Sequence, residues 1–434
     1  MKNLRALFLL FGANLVSGFA QGITMLSIPW YLVNQMGSED GKLLNAAMVA
    51  VVTLGSLFWG IYAGTLIDRF NRKRIFQIFN GIDCVILLLA GSWSMYLGET
   101  PFYLMAIVFA TTIFTYNVHY PNLYAFIQQL FEPKYYAKIN SAIELQGQLT
   151  SALGMFIGGM LIAGPENMPA WWPEMLTSRA WDLSEIFLLD GSTYFLSFIL
   201  ISLIRYESVR ERKVDMGSVY NRIKQGFTYL WERKHFLLLG ISSHLVFFAT
   251  LVTIQIVLAI YISDYLQESA YSMASFKGTY AIGAVTAGLM GLTFIVKKGH
   301  PIPKIMILML GAGIAFGSFS LTRSLTVFLI GAYFIGICNA GVRILRITYI
   351  ISVIPPRVVG RVNSFFSVIN VVERFLFSLL MTITFFSAPE NGENVIYAFA
   401  MLSLVIFIGI IIQAMVYKSM KHMEKEESLQ HASK

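Results

Sequence analysis

The chain is 434 residues long, 56% of them hydrophobic and only 13% charged, with a mean hydropathy of +0.65. A soluble core needs far less apolar sequence, so composition excludes a soluble domain and points to a chain that crosses a membrane many times. The net charge of +8 does not mark a nucleic-acid binder, because the lysines and arginines lie in alternate connections between apolar spans and not in a polar, aromatic-interleaved patch.

Twelve spans are expected, near residues 5–33, 44–67, 75–97, 102–127, 138–163, 185–205, 236–262, 277–296, 302–322, 326–352, 361–386 and 394–417. Each has room for the roughly 20 apolar residues of a bilayer-crossing helix. Span 1 runs into Pro29-Trp30-Tyr31 without a small-residue cleavage site and reads as a retained helix. One set of connections holds Lys2, Arg5, the Arg69–Arg74 cluster, Lys134, Lys138, the stretch from Arg205 to Lys234, Lys297, Lys298, Lys304, Arg357, Arg361 and the C-terminal lysines. The other holds only Lys42, Arg179, Lys277 and Arg323. The asymmetry places both termini in the cytoplasm. Cys84 and Cys338 both fall inside spans, so no disulfide is expected.

Between spans 2 and 3 an apolar run with Gly60 and Gly64 ends in Asp68, followed by Arg69, Arg72, Lys73 and Arg74. Glycines four apart let a neighbouring helix approach. A carboxylate at the lipid–water boundary requires a cation or a helix N-terminus. Further on, Trp171, Trp172 and Trp181 in the Gly164–Ser184 connection suggest a segment at the headgroup level, an interfacial anchor more than a gate. The charged midpoint contains Val219–Leu230, an expected amphipathic surface helix. Pro133–Ser141 matches Pro356–Ser364 at a constant offset of 223 residues, each copy just ahead of a span, so the chain reads as two parallel six-helix repeats. The expected division is 1–205, a linker over 206–234, and 235–434.

The ordered pattern Gly64-x-Leu66-x-Asp68-Arg69-x-x-Arg72-Lys73 resembles the loop signature of the major facilitator superfamily of secondary transporters. That family usually has Gly where this chain has Asn71, and Asn is expected to keep a left-handed turn there. Ile28-Pro29-Trp30-Tyr31, the Leu188–Phe195 stretch, Ile223–Trp231 and Val353–Val362 are similar to the bacterial drug-antiporter branch that includes macrolide-efflux-like proteins. The resemblance implies an all-α integral membrane fold of twelve helices. In it spans 1, 4, 7 and 10 line a cavity, spans 2, 5, 8 and 11 flank it, and the rest support. It also implies a latch at Gly64, Asp68, Arg69 and Arg72, with Asp68 meeting the start of span 11 near Gly360–Asn363. Two departures stand out: span 1 has no acid, only Asn14 and Gln21, and the glycines of span 5 lack the usual proline.

A charge at mid-bilayer costs about 2.5–3.5 kcal/mol on insertion scales, so each one needs a partner or a role. Glu144, roughly 9 Å into span 5, is either a carboxyl that exchanges a proton or one permanently ion-paired. Glu373 and Arg374 lie about 18 Å into span 11. Arg343 and Arg346, three apart on span 10, share a face and are expected partners of Glu373, in a structural charge network or an anion site. Asp83 and Asp190, on supporting spans, read as structural hydrogen-bond partners. Tyr116, Asn117 and His119 on span 4, with Tyr120, Gln255 on span 7 and Asn339 on span 10, join Asn14 and Gln21 as expected substrate contacts. Uncharged polar and aromatic groups suit an amphiphilic organic compound better than a small ion.

No metal-ligand spacing and no Walker pattern occur, so no metal, no cofactor, no direct use of ATP and no enzymatic activity are expected. The expected function is export of a hydrophobic or amphiphilic compound by alternating access, with proton antiport driven through Glu144 or Glu373. The expected setting is a monomer in the bilayer of a bacterial inner membrane. A lipid or lysophospholipid flippase, or an uncoupled facilitator, is the alternative, and a non-transporting scaffold or sensor a weaker one.

Overall fold

The computed structural model describes residues 4–35, 40–132, 136–165, 179–205, 219–290, 300–354, 356–387 and 393–432, and most side chains within them. Regular structure among the described residues is helical throughout. The first half holds α1 (Leu4–Gln35), α2 (Asp40–Arg69), α3 (Arg72–Leu97), α4 (Phe102–Leu130), α5 (Tyr136–Ala163) and α6 (Leu183–Ser202). After these come α7 (Val219–Trp231) and α8 (Lys234–Val252), the latter continuing through π-helical turns at Thr253–Val257 and Tyr261–Leu266 with α9 (Leu258–Ile260) between them. The chain finishes with α10 (Ala270–Met290), α11 (Pro301–Leu321), α12 (Leu325–Val353), α13 (Pro356–Leu380), the single turn α14 (Thr384–Ser387) and α15 (Val395–Ala432). Nine helices among the described residues are long and apolar enough to cross a membrane. Spans 5, 8 and 11 fall on α5, α10 and α13, which do not reach that measure over their described residues.

Helix ends follow local chemistry. α3 starts at Asn71, whose side chain accepts from the Arg74 amide (3.3 Å), and stops at Gly98 with φ 74°, a left-handed cap open to glycine. The left-handed turn expected at Asn71 is not formed. Its φ of −59° and ψ of 125° are those of an N-cap, the conformation in which an Asn side chain can satisfy an orphan helix amide. Pro29 lies inside α1 and Pro121 inside α4 without ending either helix. α6 opens on a capping box of Asp182 and Glu185, held from outside by Arg179 (2.6 Å to Glu185).

Two compact units emerge from the contacts. Unit 1 is Met1–Met216 with Ile262–Gly278 and Ser378–Pro389; unit 2 is Gly217–Tyr261, Thr279–Phe377 and Glu390–Lys434. Within unit 1, α1 and α5 meet through glycine: a Cβ on Gly154 would lie 2.0 Å from the Phe19 carbonyl oxygen. α3 and α6 run antiparallel, tied by Asn80 Nδ2 donating to Ser197 Oγ (3.0 Å) and closed by Gly91 against Ser184 and Leu188 and by Gly191 against Leu88. The segment Ile262–Gly278 packs on the same unit, with Gly159 against Ala270 and Ala274, Phe156 on Tyr271 (6.1 Å between centroids), and an ion pair from Lys42 to Asp264.

Lys42 and Lys277, expected in connections outside the bilayer, are buried, at 1% and 2% exposure. α2 and α10 begin earlier than hydropathy alone suggests, at Asp40 and Ala270, so both lysines lie inside helices, where Lys42 packs against the segment that supplies Asp264. In unit 2 the Gly283 and Gly336 positions bring α10 and α12 into backbone contact, and a Cβ on either would sit 2.1 Å from the carbonyl oxygen of Tyr333 or Tyr280. Tyr261, Phe319, Phe328 and Phe399 form its aromatic core, with Tyr261 Oη donating to the Phe319 carbonyl (2.9 Å).

Candidate functional site

The polar centre of unit 1 is a chain across three helices. On α1, Asn14 Nδ2 donates to Gln146 Oε1 of α5 (3.2 Å), and Gln146 Nε2 donates back to the Phe11 carbonyl (2.6 Å). The other end of the Asn14 amide, Oδ1, lies 2.9 Å from His119 Nε2 on α4, which fixes His119 as the donor. Phe76 meets His119 edge-on (5.2 Å), and Tyr120 flanks it (5.4 Å), its ring tilted in turn against Tyr116 (4.9 Å). Gly147 leaves room for the Tyr120 hydroxyl, 2.7 Å from where a Cβ would stand. Asn14, Tyr116, His119 and Tyr120 bound a cavity of about 20 Å³ between α1, α4 and α6, lined also by Ser17, Gly18, Gln21, Thr115 and Tyr194. That volume admits a water molecule and no organic compound.

Beside the cavity, α3 and α6 bury an acid each. Asp83 and Asp190 are 1% and 0% exposed. Thr115 Oγ1 of α4 donates to Asp83 Oδ1 (2.9 Å), and Thr24 Oγ1 of α1 donates to Asp190 Oδ2 (2.5 Å). The hydrogen-bonded character expected for both acids is therefore present, with donors that are hydroxyls of the cavity-lining helices.

Unit 2 carries a different set. Arg346 is buried and donates from Nη1 to the Ser243 carbonyl (3.1 Å). Asn339 Nδ2 donates to Tyr280 Oη (2.7 Å). Neither Arg343 nor Arg346 makes an ion pair with Glu373, and Glu373 Oε2 is buried without a hydrogen-bond partner among the described residues. The shared face of Arg343 and Arg346 was legible in sequence; the distance to Glu373 depends on how α12 and α13 are rotated. Gln255 falls in the first π-helical turn, a backbone irregularity that helical periodicity does not announce.

The expected substrate contacts thus divide between units. Asn14, Gln21, Tyr116 and His119 gather at the unit 1 cavity, and Asn117, half-buried on α4, does not line it. Gln255, Asn339 and Arg343 belong to unit 2. Of the latch residues, Gly64, Asp68 and Arg69 lie in the last turns of α2, and their side chains are outside the described residues, as are those of Glu144, Gly360 and Asn363 and all of Trp171 and Trp172. Arg72 is buried at the start of α3, where its carbonyl accepts from Asn122 Nδ2 (2.9 Å). Gln146, Thr24, Thr115 and Tyr280 were missed by sequence reasoning. Only Gln146 gave a signal, an amide in the same polar turn as Glu144 and Gln148. No group of three metal-ligating side chains comes together among the described residues.

A family model, the Major Facilitator Superfamily, matches residues 10–378. The chain is 21% identical over 413 residues to the uncharacterized transporter YkuC of Bacillus subtilis, covering 92% of this chain and 90% of that one. It is 22% identical over 343 residues to the multidrug efflux pump Tap of Mycobacterium tuberculosis (strain H37Rv), covering 71% and 76%. Among solved structures it is similar to the nucleoside transporter NupG, with a TM-score of 0.70 at 12% identity over 95% of this chain and 99% of that chain, a likeness of fold alone.

Proposed function

This chain belongs to the Major Facilitator Superfamily and is a transporter, not an enzyme, and from that premise we propose that it exports a hydrophobic or amphiphilic organic compound by alternating access, in exchange for protons. The observation that carries this reading is the uncharged polar and aromatic lining of the unit 1 cavity, in which Asn14, Gln21, Tyr116, His119 and Tyr120 offer hydrogen bonds and ring faces without a net charge. Similarity to a multidrug efflux pump supports the outward direction. In the proposed cycle two halves, 1–205 and 235–434 joined through 206–234, rock about a central site. Asp68, with Gly64, Arg69 and Arg72, serves as the conformational latch. Glu144 and Glu373 are the coupling carboxyls proposed from sequence, and the unpartnered Oε2 of Glu373 supports a proton-carrying role for that residue. The proposed setting is a monomer in a bacterial inner membrane with both termini in the cytoplasm.

Flux in proteoliposomes with a panel of amphiphilic dyes, with and without an imposed proton gradient, tests the reading. Uphill dye movement that collapses with the gradient is the expected result; absence of gradient-dependent transport across the panel overturns antiport. A lipid-moving reading is favoured by one observation, an open groove of about 550 Å³ on the α3–α6 face lined by Ile78, Ile82, Val85 and Phe198 with Arg74 and Gln77 among its lining residues. Lysolipids in the same panel separate the two.

A further inference from the structure

We infer that Asp83 and Asp190 form a proton-binding pair inside the α1–α6 bundle, which holds a proton at neutral pH and exchanges it through the Thr115 and Thr24 hydroxyls. The register of α3 against α6 places the two acids together. Asn80 bonds Ser197, and Gly91 and Gly191 close on Leu188 and Leu88, so Asp83 stands level with Tyr194, one turn (about 6 Å along the axis) from Asp190. Each carboxyl spends one oxygen on a threonine hydroxyl. The other, Oδ2 of Asp83 and Oδ1 of Asp190, is buried with no hydrogen-bond partner among the described residues. The nearby Thr193 hydroxyl donates to the main-chain carbonyl of Asp190 (2.8 Å).

Among the described residues no base answers these acids. The helices around them carry lysine or arginine only near their ends: Arg5 on α1, Lys42 and Arg69 on α2, and Arg72, Lys73 and Arg74 on α3, with none on α4 or α6. Lys73, ten residues or about 15 Å from Asp83 along α3, is committed to the carbonyls of Ser202 and Ile204 (2.8 Å each). The other titratable groups facing the pair are Tyr194 on α6, Cys84 beside Asp83, and His119 one turn from Thr115 on α4. Among the described side chains, α1 and α2 present no titratable group at this level. Two ionised carboxylates a turn apart, dry and without a cation, repel one another and lack solvation, so one takes up a proton on its free oxygen. Their titration belongs to the pair and not to either residue.

The link to transport is geometric. Thr115 and Tyr194 line the unit 1 cavity, and Thr24 lies one turn from Gln21, which lines it too. A cavity of about 20 Å³ must widen to take an organic molecule, which displaces α1 or α4 and with it a hydroxyl bound to one acid. Loss of that hydroxyl weakens the ionised form and favours proton uptake; its return favours release. The role in coupling rests on the antiport reading proposed above, whereas the bound proton does not.

The test is infrared titration of the full-length protein in nanodiscs, following the carbonyl stretch that only a protonated carboxyl shows. At neutral pH a protonated-carboxyl band is expected in the wild type, lost or shifted in both D83N and D190N, while E373Q removes at most its own contribution. Asn keeps an acceptor for each threonine, and T24V and T115V provide a second route if an Asn variant fails to fold, each expected to displace the band's titration. Absence of the band in the wild type, or a band indifferent to Asp83, Asp190, Thr24 and Thr115, overturns the pair. Proteoliposome flux separates the two proposals. Wild-type transport without proton movement ends the antiport reading but leaves the infrared result standing. A coupled wild type whose D83N and D190N variants keep its full pH dependence overturns the pair as the coupling site.

Discussion

At the middle of α3 and α6, unit 1 buries Asp83 and Asp190, each engaged by a threonine hydroxyl from another helix. On α12 and α13, unit 2 holds Arg343, Arg346 and Arg374 with the single acid Glu373, and Arg346 donates to a main-chain carbonyl. The two bundles therefore give these buried groups different partners, hydroxyls for the acids of unit 1 and a main-chain carbonyl for Arg346 of unit 2. The repeat itself does not require either set: the counterpart of Glu373 at the 223-residue offset is Thr150. Hydroxyls can hold an acid in either protonation state, because they accept as well as donate. A main-chain carbonyl can only accept, so it holds a guanidinium that stays charged. Unit 1 thus gives its two acids partners that suit either charge state, and unit 2 gives Arg346 a partner that suits a fixed cation.

The largest expected effect tests whether both bundles are equally tight. Gly154→Val in unit 1 and Gly336→Val in unit 2 each force a side chain to within 2.0 or 2.1 Å of a carbonyl oxygen. Overpacking costs about 1–3 kcal/mol and sometimes more, so both variants should lose most of the folded peak in fluorescence-detected size exclusion. Tolerance in one unit alone would show that its helices are free to separate. Next in size, Thr24→Val leaves a second Asp190 oxygen without a donor, a loss of about 1–3 kcal/mol, read as a lower thermal midpoint that Thr24→Ser restores. An unchanged midpoint would mean that Asp190 does not depend on α1.

In unit 2, Tyr280→Phe removes the acceptor of Asn339 Nδ2, a neutral bond worth about 1 kcal/mol. A thermal shift smaller than that of Thr24→Val is expected. An equal or larger one would make the Tyr280–Asn339 bond as important to unit 2 as the threonine–acid bonds are to unit 1. The smallest effect is a null coupling. A double-mutant cycle of Glu373→Gln with Arg346→Gln should be additive within about 0.5 kcal/mol, since the two side chains are not ion-paired. Marked non-additivity would restore the charge network expected from sequence and weaken the contrast between the units.

Much of the fold was legible without coordinates. Apolar stretches of bilayer length, separated by basic connections, define spans through composition alone, because lipid leaves a backbone no partner but its own helix. The Gly64–Lys73 signature and the 223-residue repeat pointed to the superfamily that the family comparison established. Asn14, Gln21, Tyr116 and His119 stood out in the sequence because uncharged polar groups in an apolar span are conspicuous whatever they touch. What they touch was another matter. That Asp83 and Asp190 lie a turn apart is decided by the α3–α6 register, which Gly91, Gly191 and the Asn80–Ser197 bond set together. That Glu373 misses Arg343 and Arg346 depends on the rotation of two helices, and that Lys42 is buried depends on Asp264, more than two hundred residues away. Hydropathy is a property of a segment and can be read along one chain. Pairing is a property of two segments, and only their packing determines it.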